Sequence, residues 1–563
     1  MITSLPPGLL LIGGALVVPF LRGWLRWAWM LALPVLGFVD LIGLEHGIHL
    51  SISLFDYHLQ PLRVDKLSLA FGYIFYIAAF LGILYAVTIN ETSEQIAALI
   101  YMGSAVGALF AGDLITLFLY WEVTAVASAF IIWSGRSEAA YRAGMRYLVI
   151  QVTSGVLLLS GALIQVAETG SIAFGASGLD SVAGILIFFA FGIKCAFPFL
   201  HNWLQDAYPE ASPTGTVFLS AFTTKLAIYG LARGYAGEEI LIWIGALMTA
   251  FPIFYAVIEN DLRRVLAYSL NNQLGFMVVG VGIGTELSLN GTVAHAFTHI
   301  LYKSLLFMSM GAVLYRVGTV KGSELGGLYK SMPWTTAFCI VGAASISAFP
   351  LFSGFVSKSL IMSSAAGEGW VIIWLVLLFA SAGVFHHSGI KIPYFAFFAH
   401  DSGKRCKEAP LPMLLAMGAT AILCIGVGVW SSPLYALLPY EVNYTPYTTA
   451  HVITQLQLLM FSALAFAVLM RTGLYPPELK SVNLDIDWIY RRGFPAIGRM
   501  LYRAARPLGG TMTIISTKTA LGGLSRLVRL TGPESTLART WQTAGMVALI
   551  VTIMALYLVV SFV

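Results

Sequence analysis

Glutamate, lysine and histidine recur in this sequence inside stretches otherwise apolar enough to cross a bilayer. Glu122 sits midway along LITLFLYWEVTAVASAFIIW, Lys194 lies inside the run from Val182 to Phe199, and Lys225 lies in FTTKLAIYGL. His295, His299 and Lys303 follow in HAFTHILYKSLLF, Lys358 in FSGFVSK, and His386, His387 and Lys391 close the series. A charge at the bilayer centre costs ~3 kcal/mol or more on insertion scales, so each group must face an acidic partner or a polar cavity within the protein. Chemically, such a series is a proton or ion relay. Histidine, with an unperturbed pKa of ~6.5, both accepts and donates near neutral pH, and a buried lysine changes charge readily.

Lys194 carries the strongest signal. Pro198, four residues on, removes a backbone donor and breaks the helix, and the freed backbone groups are tolerated at membrane depth only beside a hydrated path. Phe197, Phe199 and the uncharged run 182–193 hold the lysine away from the surface and oppose snorkelling. A second break, Ala348-Phe349-Pro350-Leu351-Phe352, echoes Ala196-Phe197-Pro198-Phe199-Leu200 at an offset of 152 residues from Pro198 to Pro350. Two internal repeats with one broken helix each would produce that echo. His295, His299 and Lys303 are spaced i, i+4, i+8 and share one helical face. Metal or haem ligation by the two histidines is disfavoured, because one helix offers only two ligands, no matching cluster follows, and Lys303 would repel a cation.

The elements that must position these groups follow from composition. With 58% hydrophobic and 10% charged residues and a mean hydropathy of +0.82, the 563-residue chain reads as an all-α polytopic membrane protein rather than a soluble globule. The first apolar run, Leu9 to Leu21, lacks a basic lead and a small-residue cleavage site and is expected to be a retained span. Cys195, Cys339, Cys406 and Cys424 form no CxxC or CxxCH motif, which argues against disulfides, iron-sulfur ligation and covalent haem. No metal or cofactor site is expected. Nothing binds a nucleotide or flavin either, so the chain carries no redox centre of its own.

Sixteen membrane helices are predicted, near 5–21, 24–44, 67–88, 95–112, 114–133, 147–166, 182–203, 214–232, 240–257, 264–283, 290–315, 334–362, 370–398, 411–430, 453–470 and 543–562. The prolines break the seventh and the twelfth, five apart, and an odd number of helices per repeat inverts the second copy. The expected organisation is three N-terminal helices (1–94), a first five-helix repeat (95–232), a second (240–398), two further helices (411–470), an amphipathic lateral region (484–540) and an anchoring helix (543–563). Basic residues alternate between the two sides: Arg22 and Arg26, Arg136 and Arg142, Arg263 and Arg264, Arg316 to Lys330, then Lys404 to Lys407. The positive-inside rule puts these loops in the cytoplasm and both termini outside, in a cytoplasmic (inner) cell membrane. Between Trp488 and Leu530 there are eight Lys or Arg and no Asp or Glu. Arg499, Arg503 and Arg506 lie on one face and Ile497, Leu501, Ala505 and Leu508 on another, a helix lying along the membrane surface against anionic lipid, about 65 Å long if wholly helical.

Five segments, YWEVTAVAS, GIKCAFPFLHNWLQDAYPEASPTGTVFLSAFTTKLAIYGL, AYSLNNQLGFMVVGVG, AHAFTHILYKSLLFMSMG and FPLFSGFVSKSLI, resemble, in order, the antiporter-like membrane subunits shared by respiratory complex I, Mrp-type cation/proton antiporters and energy-converting membrane hydrogenases. The resemblance spans roughly residues 65–430. It implies a fourteen-helix core of two inverted repeats, each with a proton half-channel, joined by a hydrophilic axis. Glu122 then stands for the glutamate of helix five, Lys194 for the lysine of broken helix seven and Lys225 for that of helix eight. His295, His299 and Lys303 stand for the central relay, and Lys358 for the lysine of broken helix twelve. FTTKLAIYGL looks like the Mrp D-type and the M- and N-type complex I subunits, whereas FSK at Lys358 looks like the L-type. The expected partners are other membrane subunits of a hetero-oligomeric complex, protons and Na⁺ or K⁺, with no nucleic acid. A proton held on Lys194 under the influence of Glu122 would pass Lys225 and the histidines and leave past Lys358, with His386, His387 and Lys391 on the output side. The expected function is monovalent cation/proton antiport; proton pumping in a complex I-like (NADH:quinone oxidoreductase) or hydrogenase-type complex is the alternative, and a structural scaffold with vestigial polar residues a second.

Overall fold

The computed structural model describes residues 5–54, 57–479, 483, 485–505 and 552. The chain divides into two compact units, Met1–Asn483 and Leu484–Val563. The first opens with α1 (Gly8–Ala15) and α2 (Gly23–Ile42), an antiparallel hairpin of β1 (Gly47–Leu54) and β2 (Tyr57–Val64), and α3 (Lys66–Ala86). Residue types do not announce the hairpin. It grips the bundle through its backbone and one side chain: Gln60 O accepts the Gly112 N–H at 2.8 Å, the Gln60 N–H donates to the Asp113 carboxylate at 2.7 Å, and the Arg63 guanidinium donates to Phe174 O at 2.7 Å.

The next ten helices are α4 (Thr92–Phe110), α5 (Leu114–Trp133), α6 (Glu138–Thr169), α7 (Val182–Cys195), α8 (Asn202–Ala207), α9 (Gly215–Ala221), α10 (Thr223–Gly234), α11 (Glu239–Ile258), α12 (Leu262–Ile283) and α13 (Glu286–Val317). Then come α14 (Pro333–Ile346), α15 (Ser353–Gly367), α16 (Val371–Val384) continuing through π-helical turns to Phe398, α17 (Leu411–Val429), the short α18 (Ser432–Ala436) and α19 (Thr449–Thr472). Each of the first fifteen predicted segments is helical; the sixteenth, 543–562, lies outside the described residues apart from Thr552. Eleven described helices are long and apolar enough to cross a membrane.

A set of local devices recurs. Asp113 caps α5 through the Thr116 N–H and bridges to Ala173; 148 residues on, Asp261 caps α12 and bridges to Lys321. The helices α6 and α13 are each 32 residues long, start on a hydroxyl cap (Ser137, Thr285) and end on a left-handed glycine (Gly170, Gly318). Both hydroxyls take up backbone N–H groups of the first turn, and glycine adopts positive φ without a Cβ penalty. The broken helices match most closely. Ala196 (φ 62°) and Phe199 (φ 69°) flank the first proline as Ala348 (φ 55°) and Leu351 (φ 74°) flank the second. Four non-glycine residues in the left-handed region cost of order 1–3 kcal/mol each, which marks both breaks as positions held by their surroundings.

In the second unit, the described part of the expected lateral region holds α20 (Phe494–Ala505), whose Ile497, Met500 and Leu501 are exposed. Residues 506–540 lie outside the described residues.

Candidate functional site

Burial covers 100% of the most apolar stretch of α9–α10 and 94% of that of α13, against 11% for α19, so the bundle is built around these helices. On one side stands the first break. Lys194 is the last residue but one of α7, and its ammonium donates to Trp121 O at 2.6 Å and lies 4.3 Å from the Trp121 ring. The Trp121 indole N–H is fixed by Ser154 Oγ at 2.9 Å, and that hydroxyl donates to Ala190 O at 2.7 Å. Glu122 is the electrostatic partner of Lys194, without a direct ion pair, and its Oε1 is buried with no hydrogen-bond partner. Room for that carboxyl comes from Gly155 on α6, where a Cβ would lie 1.6 Å from Glu122 Oε1.

Lys225 occupies a third discontinuity. Because α9 stops at Ala221 and α10 starts at Thr223, the Ser220 carbonyl is free to accept the Lys225 ammonium at 2.5 Å. Cys195, next to Lys194 in the chain, His299 and His295 are electrostatic neighbours of Lys225. His295 is fastened at both ends, to Ser357 Oγ at 3.2 Å and to the Tyr302 hydroxyl at 3.4 Å, which itself donates to Gln273 at 3.2 Å. His299 is not: neither ring nitrogen has a hydrogen-bond partner, and the ring stands edge-on to Tyr302 at 5.3 Å. The Lys303 ammonium is buried and unpartnered too. Lys358, on α15 beyond the second break, donates to the freed Ile346 carbonyl at 3.2 Å and lies 5.0 Å from the Phe276 ring.

Beyond Lys303 the polar series turns to the π-helical segment. His387 neighbours Lys303, Lys358 and Lys391 electrostatically, and its Nδ1 pairs with Ser388 Oγ at 2.9 Å. His386 stacks on Tyr475 at 5.5 Å. Lys391 is fully buried, donates to the Val257 and Glu259 carbonyls at 2.6 Å each, and pairs with the Glu478 carboxylate at 3.0 Å. The carbonyls that hold Lys391 are those of the C-terminus of α11, next to Arg263 and Arg264, so Lys391 borders the basic end of the bundle. Carbonyls at a helix C-terminus attract a cation, which is why the lysine is drawn to that end.

Several polar groups outside the Glu, Lys and His series are also buried. Glu478 lies far along the chain from Lys391, and no local pattern links them. Both side-chain polar atoms of Gln151 and of Asn271 are buried without a partner. The run Asn271-Asn272-Gln273 in a membrane helix was a legible signal, three amides where apolar residues were due. Among the described residues, no group of three or more His, Cys, Asp or Glu could hold a metal ion.

The described residues thus form a predominantly helical bundle with two broken helices and a buried series of Glu, Lys and His. Residues 111–385 match the family described as NADH:quinone oxidoreductase/Mrp antiporter, TM. The chain is 26% identical over 484 residues to hydrogenase-4 component B of Escherichia coli, covering 74% of this chain and 72% of that one. With a Na(+)/H(+) antiporter subunit of Alkalihalophilus pseudofirmus it shares 28% identity over 352 residues, 58% of this chain and 71% of the other. In fold it is similar to a chain of the membrane-bound sulfane sulfur reductase, an archaeal respiratory membrane complex, with a TM-score of 0.72, 23% identity and 99% of both chains covered. It is likewise similar to a chain of the Mrp complex from Dietzia sp., with a TM-score of 0.66, 22% identity, and 79% and 95% covered.

Proposed function

We propose that the chain is the proton-translocating subunit of a multisubunit membrane complex, exchanging protons for a monovalent cation, Na⁺ in the first instance. The observation that carries this reading is the buried line from Glu122 and Lys194 through Lys225, His299 and His295 to Lys358, in which every ammonium rests on a carbonyl freed by a helix break or on a neighbouring backbone. Loading is electrostatic. Proximity of the Glu122 carboxylate favours a charged Lys194 and burial favours a neutral one, so a small displacement of either side chain changes the proton's hold. His299, with neither nitrogen fastened, is free to take a proton from one half and pass it to the other.

The recurrence of caps, bridges and breaks supports two five-helix repeats over 95–232 and 240–398. The basic loops support a cytoplasmic face that includes Lys391, with both termini outside. Lys391, Glu478 and His387 then border the cytoplasmic side rather than the exit. The region beyond Trp488 fits a lateral helix bracing neighbouring subunits against anionic lipid. A redox-driven complex is the second reading, favoured by the full-length fold likeness to a respiratory complex chain. The two part in one experiment. In vesicles bearing the assembled complex, addition of Na⁺ or K⁺ across a pre-set pH gradient dissipates the gradient if the chain serves an antiporter; if only electron donors move protons, the redox reading stands.

A further inference from the structure

Between α15, α16 and α19 lies a cavity of ≈ 390 Å³ whose lining includes Lys358, Ser359, Tyr444, Thr448, His451 and Gln455. It belongs to the end of the bundle opposite the basic loops, because α17 runs from the Lys404–Lys407 loop to the 430–448 segment that walls the cavity. The second break is tied to this wall at two points. The Gln455 amide donates to Ser347 O at 3.1 Å, and the Leu351 N–H donates to the Tyr447 hydroxyl at 3.2 Å. Lys358, 3% exposed, is its charged residue, and among the described residues no carboxylate pairs with it.

His451 stands in the first turn of α19, outside the matched segment 111–385 and outside the line of groups described above. Thr448 caps that turn by accepting the His451 N–H at 3.2 Å. The ring lies flat on Phe355, centroids 4.3 Å apart and planes 17° apart, and Phe355 is one helical turn before Lys358 on α15. His451 Nδ1 is 2.7 Å from Pro446 O. A carbonyl has no proton to give, so Nδ1 carries the hydrogen and Nε2 is left as the basic nitrogen of the neutral ring. The side chain is therefore held in one orientation by a stack and a hydrogen bond, with its base unused by either.

Resting on the translocation route set out under Proposed function, we propose that His451 is the proton acceptor at the exit, taking the proton that leaves Lys358 and releasing it to the outer face. The Nζ–H bond of the Lys358 ammonium breaks and an Nε2–H bond forms on His451, directly or through one water in the cavity. The neutral lysine is then free to be recharged from His295, and the imidazolium returns to neutral by losing its proton to bulk water. Among the described residues no carboxylate lies beside Lys358, and of those lining the cavity His451 alone, besides the lysine itself, offers a basic nitrogen.

The test uses the assembled complex in vesicles and reads proton movement. His451→Phe preserves a flat ring on Phe355 but has no nitrogen; transport should fall ~10-fold or more, with assembly unchanged. His451→Ala should fall similarly and recover with added imidazole, but not with pyrrole, which fills the same space without a basic nitrogen. Full transport in His451→Phe, or equal recovery with pyrrole, overturns the proposal and leaves His451 a packing residue. Lys358→Ala separates this failure from that of the route: loss in Lys358→Ala beside a full rate in His451→Phe sinks the His451 role alone. A full rate in both sinks the route and the His451 role with it.

Discussion

The two helix breaks share a backbone and differ in their surroundings. Each places an alanine and, three residues later, a bulky residue in the left-handed region around a proline. Each also frees a carbonyl that a side chain takes up, the Trp203 indole at Ile193 O in the first and Lys358 at Ile346 O in the second. At the first, the lysine comes before the break, is sealed beneath Trp121, and has a carboxylate for an electrostatic neighbour. At the second, the lysine comes after the break, has no carboxylate beside it among the described residues, and lines a cavity. A site with a counter-ion is suited to capturing a proton; a site without one, but with a path outward, is suited to letting it go. The break supplies depth and polarity, and the neighbours decide in which direction the charge is stable.

The largest test of this contrast removes the counter-ion. Glu122→Ala and Lys194→Ala should each lower transport ~10²-fold or more in an assembled complex, the scale of a lost proton-transfer group. Either variant at wild-type rate would mean that the first break is not a capture site and that the contrast is only structural.

A smaller effect is expected where the two halves meet. His299, with both nitrogens free, should be the exchanging histidine, and His299→Ala should cost ~10-fold while expression stays normal. His295→Ala, which unfastens Ser357 and Tyr302, should cost less in transport and more in thermal stability. A reversed order would move the exchange to His295, and full transport in the double variant would route the proton through His387 and Lys391.

The smallest effect sharpens the geometry at Glu122. Gly155→Ala places a methyl where the carboxyl oxygen now lies, so the carboxyl must shift relative to Lys194. Transport should drop a few-fold, whereas Gly426→Ala, with open space around it, should change nothing. Equal rates in the two variants would show that the position of the Glu122 carboxyl does not set the charge on Lys194.

Much of the site was legible because a membrane makes charge conspicuous. Lys194, Lys225, Lys303 and Lys358 stood out against apolar runs, and they are indeed deeply buried. Hydroxyls and amides escape that filter. Tyr302, Ser357 and Gln151 cost too little at insertion to stand out, though two of them fasten His295 and the third lies unpartnered in the same interior. The hairpin 47–64 was missed for a related reason: part of its grip on the bundle is made by the backbone of Gln60, which leaves no trace in residue types.

The class of the protein, most of its helices up to 472, both breaks and the series of ionisable groups are written in the residue order. Each of these is a local cost, of burying a charge or losing a backbone donor, and falls on the residue that carries it. Which groups share a space is settled only by the folded bundle. That Gly155 makes room for Glu122, that Glu478 meets Lys391 across 87 residues of chain, and that His451 reaches the cavity of Lys358 are contacts between distant segments. Helix packing sets such contacts, and no local spacing encodes them.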